Sequence, residues 1–330
     1  MSNETIVSSQ SVPAQAATTK VSIVGAGAVG STMAYATLMR GAARTVALYD
    51  INKAKVEAEA LDLAHGMQFM PNADVIGSDE IAVCENSDLI VVTAGAKQKP
   101  GQSRIDLAET TIGLMSKILP QLQDVAPNAI YVMVTNPVDI VTYAALKITG
   151  LPHKQLFGSG TVLDSSRLRY LIAEHTGVAV QNVHAYMAGE HGDTEIPLWS
   201  SATIGGVSLL EWEGIDGNKP LTNSDRDAIA SDVINSAYQI ISGKGATNYA
   251  IGLAGSRIIE AVLNDERRVL PISTKLDDYY GIEDICLSVP TLVGREGALQ
   301  RLSVPLSATE IKGLQKSATS LREVARGFGF

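Results

Sequence analysis

Residues 21–32 read VSIVGAGAVGST, and this stretch decides the fold class of the chain. Residues 21–24 form a short apolar run typical of a buried strand, and residues 28–40 have the spacing of an amphipathic helix. Between them, three glycines complete the pattern GxGxxG: Gly25, Gly27 and Gly30. In this pattern the first glycine permits a tight turn, the second lets an anionic ligand approach the backbone, and the third lets helix pack on strand. A glycine-rich turn without a ligand is the alternative at this point.

Apolar runs and helical spacing keep alternating along the first half of the chain. The apolar runs lie at 46–49, 89–93 and 130–134, and the helical segments lie at 54–66, 105–123 and 138–149. Such repetition predicts an α/β fold with a doubly wound, mostly parallel sheet of the Rossmann type. Ligands of such sheets bind at the carboxyl ends of the strands.

The pattern becomes less regular after about residue 160. Helical segments then flank a β-rich stretch, in the order 163–176, 183–214 (β-rich), 224–242, 247–264, further strands, and a closing helix at 308–326. The chain is predicted to have three parts: a disordered tail (1–19), a Rossmann domain (20–160) and a second α+β substrate domain (161–330).

The chain of 330 residues is acidic. It has 26 Lys and Arg against 35 Asp and Glu, which gives a formal net charge of −9, and 45% of its residues are hydrophobic. An acidic surface repels phosphate backbones and anionic lipids, so neither nucleic acid nor a membrane is a predicted partner. The uncharged run 21–39 reaches the length of a membrane span, but its glycines interrupt it. No basic segment precedes Lys20, which favours a cytoplasmic protein without a secretory signal.

Cysteine use argues against a thiolate metal site. Cys84 and Cys286 are far apart and belong to no CxxC or Cys/His cluster, so no metal site is predicted. A disulfide between the two cysteines is left open.

Asp50 indicates which nucleotide the first domain binds. It ends the second predicted strand about 20 residues after Gly30, where a Rossmann domain places the carboxylate that accepts the ribose hydroxyls. A carboxylate there repels the 2′-phosphate of NADP, so NAD is the predicted cofactor and residues 20–160 form its domain. A simple turn residue at the strand end is the alternative. The chain has no GxxxxGK(S/T) motif, which argues against a nucleoside triphosphatase.

Candidate chemical groups lie in the second half of the chain. His191 stands between two glycines in the loop sequence GEHGD, where a ligand could approach its imidazole closely. Asp164 and Arg167 open a predicted helix three residues apart and therefore share one face of it. Taken alone, these patterns favour a structural loop histidine at His191 and a local ion pair between Asp164 and Arg167.

Six segments together resemble the lactate/malate dehydrogenase superfamily, and within it the bacterial lactate dehydrogenases that fructose 1,6-bisphosphate activates. The resemblance covers residues 20–328. The segments are VGAGAVG (24–30), TAGAKQKPG (93–101), VTNPVD (134–139), GTVLDSSR (160–167), GEHGD (189–193) and GATN (245–248).

The resemblance implies reversible hydride transfer between NADH and pyruvate, giving L-lactate and NAD⁺, within glycolysis and fermentation. It makes His191 the proton donor and Asp164 the acceptor of a hydrogen bond from its ring. Arg167 would clamp the substrate carboxylate, since a guanidinium offers two parallel hydrogen bonds. Arg104, which follows the predicted lid loop 96–103, would polarise the substrate carbonyl. The alternative for Arg104 is a solvated helix-start arginine.

The resemblance also assigns the remaining contacts. The implied substrate-binding residues are Gln98, Arg104, Asn136, Arg167 and Thr247. The implied cofactor-binding residues are Gly25, Gly27, Val29, Gly30, Asp50, Thr93, Ala94, Gly95, Asn136 and Ile251. Val29 and Ile251 are equally compatible with core packing. Gln98 stands where malate-specific relatives carry an arginine, so pyruvate is expected over oxaloacetate, whose second carboxylate would lack a partner.

Regulation and assembly follow from the same resemblance. Arg169 and His184 fall where the bisphosphate-activated enzymes bind the effector at a two-fold subunit interface, and a homotetramer is implied. A surface arginine and a core-edge histidine are the alternatives. Malate dehydrogenase is the alternative activity, and Gln98 argues against it. An NAD-binding protein without catalysis would be expected to have lost His191, Asp164, Arg167 or Arg104, and all four are present.

Overall fold

The computed structural model describes residues 19–95, 104–214 and 220–330, with the backbone only at 104 and 105. Its strands, β1–β14 in chain order, are Lys20–Val24, Thr45–Tyr49, Asp74–Ser78, Leu89–Val92, Ile130–Met133, Leu156–Gly158, Val183–His184, Met187–Ala188, Ile196–Pro197, Thr203–Ile204, Val207–Ser208, Arg268–Lys275, Cys286–Gly294 and Gly297–Arg301. Its α-helices, α1–α8, are Ala28–Met39, Lys53–His65, Arg104–Val125, Val138–Thr149, Val162–Thr176, Asn223–Lys244, Tyr249–Leu263 and Ala308–Gly327. Short 3₁₀ helices are Met67–Phe69, Ile81–Cys84, Val180–Asn182, Trp199–Ser201 and Leu209–Glu211.

A nine-stranded sheet organises the molecule, in the order β14-β13-β12-β6-β5-β4-β1-β2-β3. The six strands from β3 to β6 pair in parallel, which confirms the predicted doubly wound α/β fold. Chain order reverses between β1 and β4, so their carboxyl ends flank the crevice in which such sheets bind ligands. Both β4 and β5 are buried at every residue, as their continuous apolar sequences predict.

The second half of the chain both extends this sheet and forms two smaller sheets. The strands β12, β13 and β14 are antiparallel and join the sheet through β6. Smaller sheets β11-β10-β7 and β8-β9 occupy the predicted β-rich stretch. The predicted division at residue 160 therefore falls just after β6, inside one continuous sheet, and the division itself stays a prediction.

The uncharged run 21–39 divides into β1 and α1 at the glycine loop. Gly25 has φ +103, a left-handed conformation that favours glycine, and a Cβ there would lie 2.7 Å from the backbone nitrogen of Ala94. A Cβ on Gly30 would lie 1.9 Å from the Gly25 carbonyl oxygen. The first and third glycines thus permit the turn and the close packing of α1 on β1. Among the described residues, none of the helices has the length and apolarity needed to cross a membrane.

Several predictions fall partly or wholly outside the described residues. The predicted tail lies there apart from Thr19, as do Gln98, the loop 96–103 and the side chain of Arg104. Both cysteines are free and buried, so the disulfide left open by the sequence is not formed.

Candidate active site

The carboxyl ends of β1, β4 and β5 are tied together by threonine side chains. The Thr93 hydroxyl, just after β4, donates to the carbonyl oxygens of Val24 (3.1 Å) and Gly25 (2.9 Å). After β5, the Thr135 hydroxyl donates to the Ala94 carbonyl oxygen at 2.7 Å. These hydrogen bonds bring the glycine loop, the segment 93–95 and Asn136 to one edge of the sheet, and contact of these residues with the cofactor stays a prediction.

The start of α1 suits an anionic ligand. The helix begins after Gly27, and no side-chain cap satisfies its free N–H groups. Its first turn also contains no acidic residue that would repel an anionic ligand. A Cβ built on Gly27 meets no atom of the described chain within 4 Å, unlike one on Gly25 or Gly30. The second glycine of the motif therefore faces open space at a helix N-terminus, which fits the pyrophosphate of a dinucleotide.

Asp50 lies beside this loop at the end of β2. One carboxylate oxygen accepts the Ala26 backbone N–H at 2.8 Å, and the other accepts that of Asn52 at 2.9 Å. Each oxygen keeps a further lone pair for a ribose hydroxyl. The residues present thus fit NAD, whereas the charge of Asp50 opposes a 2′-phosphate.

Helix α7 packs against α1. A Cβ on Gly252 would lie 2.6 Å from the Thr32 side chain, so the two helices approach closely. Val29 on α1 and Ile251 on α7 are half-buried and pack against the same apolar cluster. Thr247 is half-buried in the turn between α6 and α7. Cofactor or substrate contact by these three residues stays a prediction.

His191 is held at both its backbone and its ring. It lies in the loop between β8 and β9, where its backbone N–H donates to Asp139 at 2.7 Å. Its ring Nδ1 lies 2.6 Å from Asp164 Oδ2. An ionised Asp164 accepts a hydrogen bond from a protonated Nδ1. This leaves Nε2 as the ring atom that can exchange a proton with a ligand. The side chain keeps 25% exposure, so the site is open to a small ligand.

Arg167 is the second side chain, with His191, that contacts the buried carboxylate of Asp164. It lies one helical turn after Asp164 on α5, and its Nη1 donates to Asp164 Oδ1 at 2.5 Å. Asp164 is 1% exposed and the Arg167 side chain 13%. The other guanidinium N–H groups make no hydrogen bond within the described part of the chain, and they are available to an anionic substrate group.

Charge in this group favours an ionised Asp164 and a protonated His191. Burial by itself raises the pKa of Asp164, but the charge and hydrogen bond of His191, the charge of Arg167 and a hydrogen bond with Glu195 outweigh it and hold that pKa below its usual range. Burial lowers the pKa of His191, yet the charge and hydrogen bond of Asp164, with smaller effects from Glu195 and Asp139, raise it to about 9. The imidazole of His191 is therefore protonated at neutral pH, next to an ionised Asp164.

Two buried carboxyl groups beside His191 were missed by the sequence analysis. Asp139, in the first turn of α4, accepts hydrogen bonds from the His191 backbone and from the Ser273 hydroxyl (2.6 Å). Burial raises the pKa of Asp139 to about 6, although both hydrogen bonds lower it. Glu195 is 5% exposed and lies four residues after His191. The signal for Asp139 was a carboxylate within the mostly apolar run 138–146 of α4, and Glu195 carried no comparable signal.

The side chain of Arg169 contacts the backbone next to His184. Arg169 Nε donates to the Ala185 carbonyl oxygen at 2.8 Å, and its guanidinium lies 5.0 Å from the centre of the Tyr186 ring. His184 precedes Ala185 on β7 and is exposed. Their role at a subunit interface stays a prediction.

Comparison with known proteins supplies the family. The model of the lactate/malate dehydrogenase NAD binding domain matches residues 19–158, and that of the lactate/malate dehydrogenase alpha/beta C-terminal domain matches residues 161–328. The chain is 57% identical over 312 residues to an L-lactate dehydrogenase of Bifidobacterium animalis subsp. lactis (strain AD011), covering 94% of this chain and 98% of that relative. It is 44% identical over 306 residues to one of Clostridium perfringens (strain 13 / Type A), covering 92% and 96%.

A solved structure agrees with these sequence matches. The crystal structure of the minor L-lactate dehydrogenase from Enterococcus mundtii, in the ligands-bound form, superimposes with a TM-score of 0.90 at 38% identity and covers 94% of this chain and 98% of its own. The chain therefore belongs to the lactate/malate dehydrogenase family and is an NAD-dependent oxidoreductase.

Proposed function

We propose that the chain is an L-lactate dehydrogenase, which reduces pyruvate to L-lactate with NADH and catalyses the reverse reaction. The observation that carries this proposal is that His191 and Arg167 both contact the same buried carboxylate, that of Asp164. A proton donor and a cationic clamp on one carboxylate suit a small substrate that has both a carbonyl and a carboxylate group.

The proposed mechanism assigns each residue one task. Bound NADH supplies the hydride that reduces the substrate carbonyl. Arg167 binds the substrate carboxylate through two parallel N–H···O bonds and thereby orients the carbonyl carbon. His191 donates the proton on Nε2 to the carbonyl oxygen as negative charge develops there. Asp164 keeps the proton on Nδ1 and stabilises the imidazolium before this transfer.

Further residues are proposed to complete the site. Arg104 polarises the carbonyl, and closure of the loop 96–103 expels water and strengthens these charges. Asn136 hydrogen-bonds near the carbonyl and the nicotinamide, and Thr247 lines the substrate pocket. The cofactor is proposed to lie along Gly25, Gly27, Val29, Gly30, Asp50, Thr93, Ala94, Gly95, Asn136 and Ile251. Residues 20–160 would form the NAD-binding domain and residues 161–330 the catalytic domain, and the protein would act in the cytoplasm, in glycolysis and fermentation.

Regulation by fructose 1,6-bisphosphate is proposed at Arg169 and His184. Two copies of this pair, related by a two-fold axis, would form a cationic pocket for two phosphate groups. A homotetramer is proposed with it. Exposed apolar side chains on the neighbouring helices α1 and α7 support burial against another copy, and they are Tyr35 (51%), Met39 (47%), Tyr249 (71%) and Leu253 (55%).

Gly27→Ala tests the cofactor site. We expect the variant to fold, because its methyl group would enter open space, and to lose NADH affinity by about tenfold or more, because that space is proposed to hold the pyrophosphate. NADH fluorescence titration and thermal unfolding measure the two effects. Gly30→Ala is the control and should lower the unfolding temperature, since its Cβ would collide with the Gly25 carbonyl. Unchanged NADH affinity in Gly27→Ala would contradict the proposed site.

His191→Asn tests the proton donor. Turnover should fall by about a hundred- to ten-thousandfold while NADH affinity stays nearly unchanged. Since the protonated imidazole is the form that reduces pyruvate, wild-type kcat/KM for pyruvate should fall as pH rises through about 9, and kcat/KM for lactate should rise over the same range. Steady-state rates across pH give both curves. Loss of NADH binding in the variant would instead make His191 a structural residue.

Gln98→Arg tests the choice of substrate. The wild-type chain should prefer pyruvate over oxaloacetate by at least about tenfold in kcat/KM, because a second carboxylate would enter a poorly solvated site without a cation. The arginine should reverse this preference or strongly reduce it. Oxidation of NADH, followed by absorbance, compares the two substrates. Equal rates for both in the wild type would be incompatible with the proposed specificity.

Addition of fructose 1,6-bisphosphate tests the effector site. The pyruvate concentration at half-saturation should fall several-fold on addition, and Arg169→Gln with His184→Gln should remove this response. Lys154→Gln, an exposed cation near the amino ends of the strands, is the control and should keep the response. An effector-independent wild type would remove the regulatory proposal, and light scattering would report the oligomeric state separately.

A further inference from the structure

Glu195 is a buried carboxyl group that the mechanism above leaves without a task. It lies in the same loop as His191, and its backbone N–H donates to the Gly192 carbonyl oxygen at 3.3 Å. This turn folds residue 195 back toward the imidazole. The residue is 5% exposed and forms no ion pair with another described residue, which is unusual for a buried glutamate.

The carboxyl group of Glu195 shares its pocket with the proposed catalytic pair. One of its oxygens, Asp164 and the His191 ring nitrogen lie within 4.8 Å of one another. Both oxygens of Asp164 already accept hydrogen bonds, one from His191 and one from Arg167. Oε2 of Glu195 is buried and accepts no hydrogen bond from a donor group among the described residues, whereas the carboxyl groups of Glu195 and Asp164 lie within hydrogen-bonding reach of each other.

Two ionised carboxylates in this pocket would repel each other in a water-poor environment. The groups that face Glu195 are Asp164 and Arg167 from α5 and His191 from its own loop, while Asp139 on α4 lies behind the loop. Burial and the charge of Asp164 raise the pKa of Glu195 to about 9, and the cations of His191 and Arg167 only partly offset this. A neutral Glu195 removes the repulsion and supplies an O–H donor.

We propose that Glu195 is a positioning residue whose protonated carboxyl group donates a hydrogen bond to Asp164 and thereby steadies Asp164 against Nδ1 of His191. Its proton stays in place throughout turnover. Because Glu195 is neutral, it adds no negative charge near the substrate carboxylate that Arg167 must bind. This inference rests on the proposed role of His191 as proton donor.

The same three side chains do not favour a metal ion over this hydrogen bond. His191 Nδ1 lies only 2.6 Å from Asp164 Oδ2 and shares a proton with it. Arg167 already brings a positive charge to the other Asp164 oxygen. A cation placed here would have to displace the first contact and lie beside the second charge.

The infrared spectrum of the wild-type enzyme minus that of a Glu195 variant tests directly whether the Glu195 carboxyl group is protonated. At about pH 7.5, above the pKa of Asp139 and below that of Glu195, the wild-type enzyme should show the carbonyl stretch of a protonated carboxylic acid. This band should be lost in Glu195→Gln. It should remain in Glu190→Gln, the matched control in the same loop, whose carboxylate accepts a hydrogen bond from the Thr194 hydroxyl at 2.5 Å. Absence of a Glu195-dependent band would overturn the proposal.

Kinetics separate a neutral donor from an ionised carboxylate. The side-chain amide of Glu195→Gln also donates to Asp164, so kcat/KM for pyruvate should stay within about threefold and its pH midpoint should move by less than about half a unit. Glu195→Leu keeps the volume but loses the donor, and kcat/KM should fall about ten- to a hundredfold. NADH affinity serves as the check that each variant is folded.

The opposite kinetic result would overturn the inference. If Glu195 were ionised, Glu195→Gln would remove a negative charge beside His191 and lower the pH midpoint by about one unit or more. A Glu195→Leu variant as active as the wild type would show that the hydrogen bond has no positioning effect. If His191→Asn keeps full turnover, the proposed proton donor is wrong, whereas the infrared band of Glu195 is unaffected by that failure.

Discussion

The hydrogen bond between Asp164 and the His191 ring is the interaction on which the rest of the site depends. Asp164 is almost completely buried, so water does not solvate its charge and neighbouring groups must compensate it. His191 and Arg167 supply that compensation, and each gains a fixed orientation from it. One carboxylate therefore sets the ring tautomer, favours the proton on the imidazole, and anchors the guanidinium proposed to bind substrate.

The fold brings this pair to the edge of the sheet where the cofactor residues lie. Asn136 follows β5, and three residues later Asp139 opens α4 and accepts the backbone N–H of His191. Ser273 on β12 donates to the other oxygen of Asp139. A buried carboxylate thus joins a helix of the parallel sheet, an antiparallel strand of the second half and the loop of His191. The continuity of the sheet through β6 and β12 keeps these elements in register.

Much of this arrangement was predictable because some positions admit few residue types. Gly25 and Gly30 stand where a Cβ would collide with backbone, and Asp50 ends β2 beside the loop. By contrast, β3 has no clear strand pattern, since it is a half-exposed edge strand of sequence DVIGS, and β6 has only three residues. Glu195 was not singled out either, because a glutamate in a loop is ordinarily solvated and nothing in its neighbours along the chain indicates burial.

The sequence by itself determined the parallel βαβ architecture, the preference for NAD and the identity of the residues that resemble the family's site. These properties depend on local periodicity, glycine geometry and side-chain chemistry, which neighbouring positions express directly. Only the tertiary structure decided that β12–β14 continue the first sheet, that Asp139 holds the His191 backbone, and that Glu195 shares a pocket with Asp164. Burial and charge compensation between residues far apart in the chain set these features, and no local pattern encodes them.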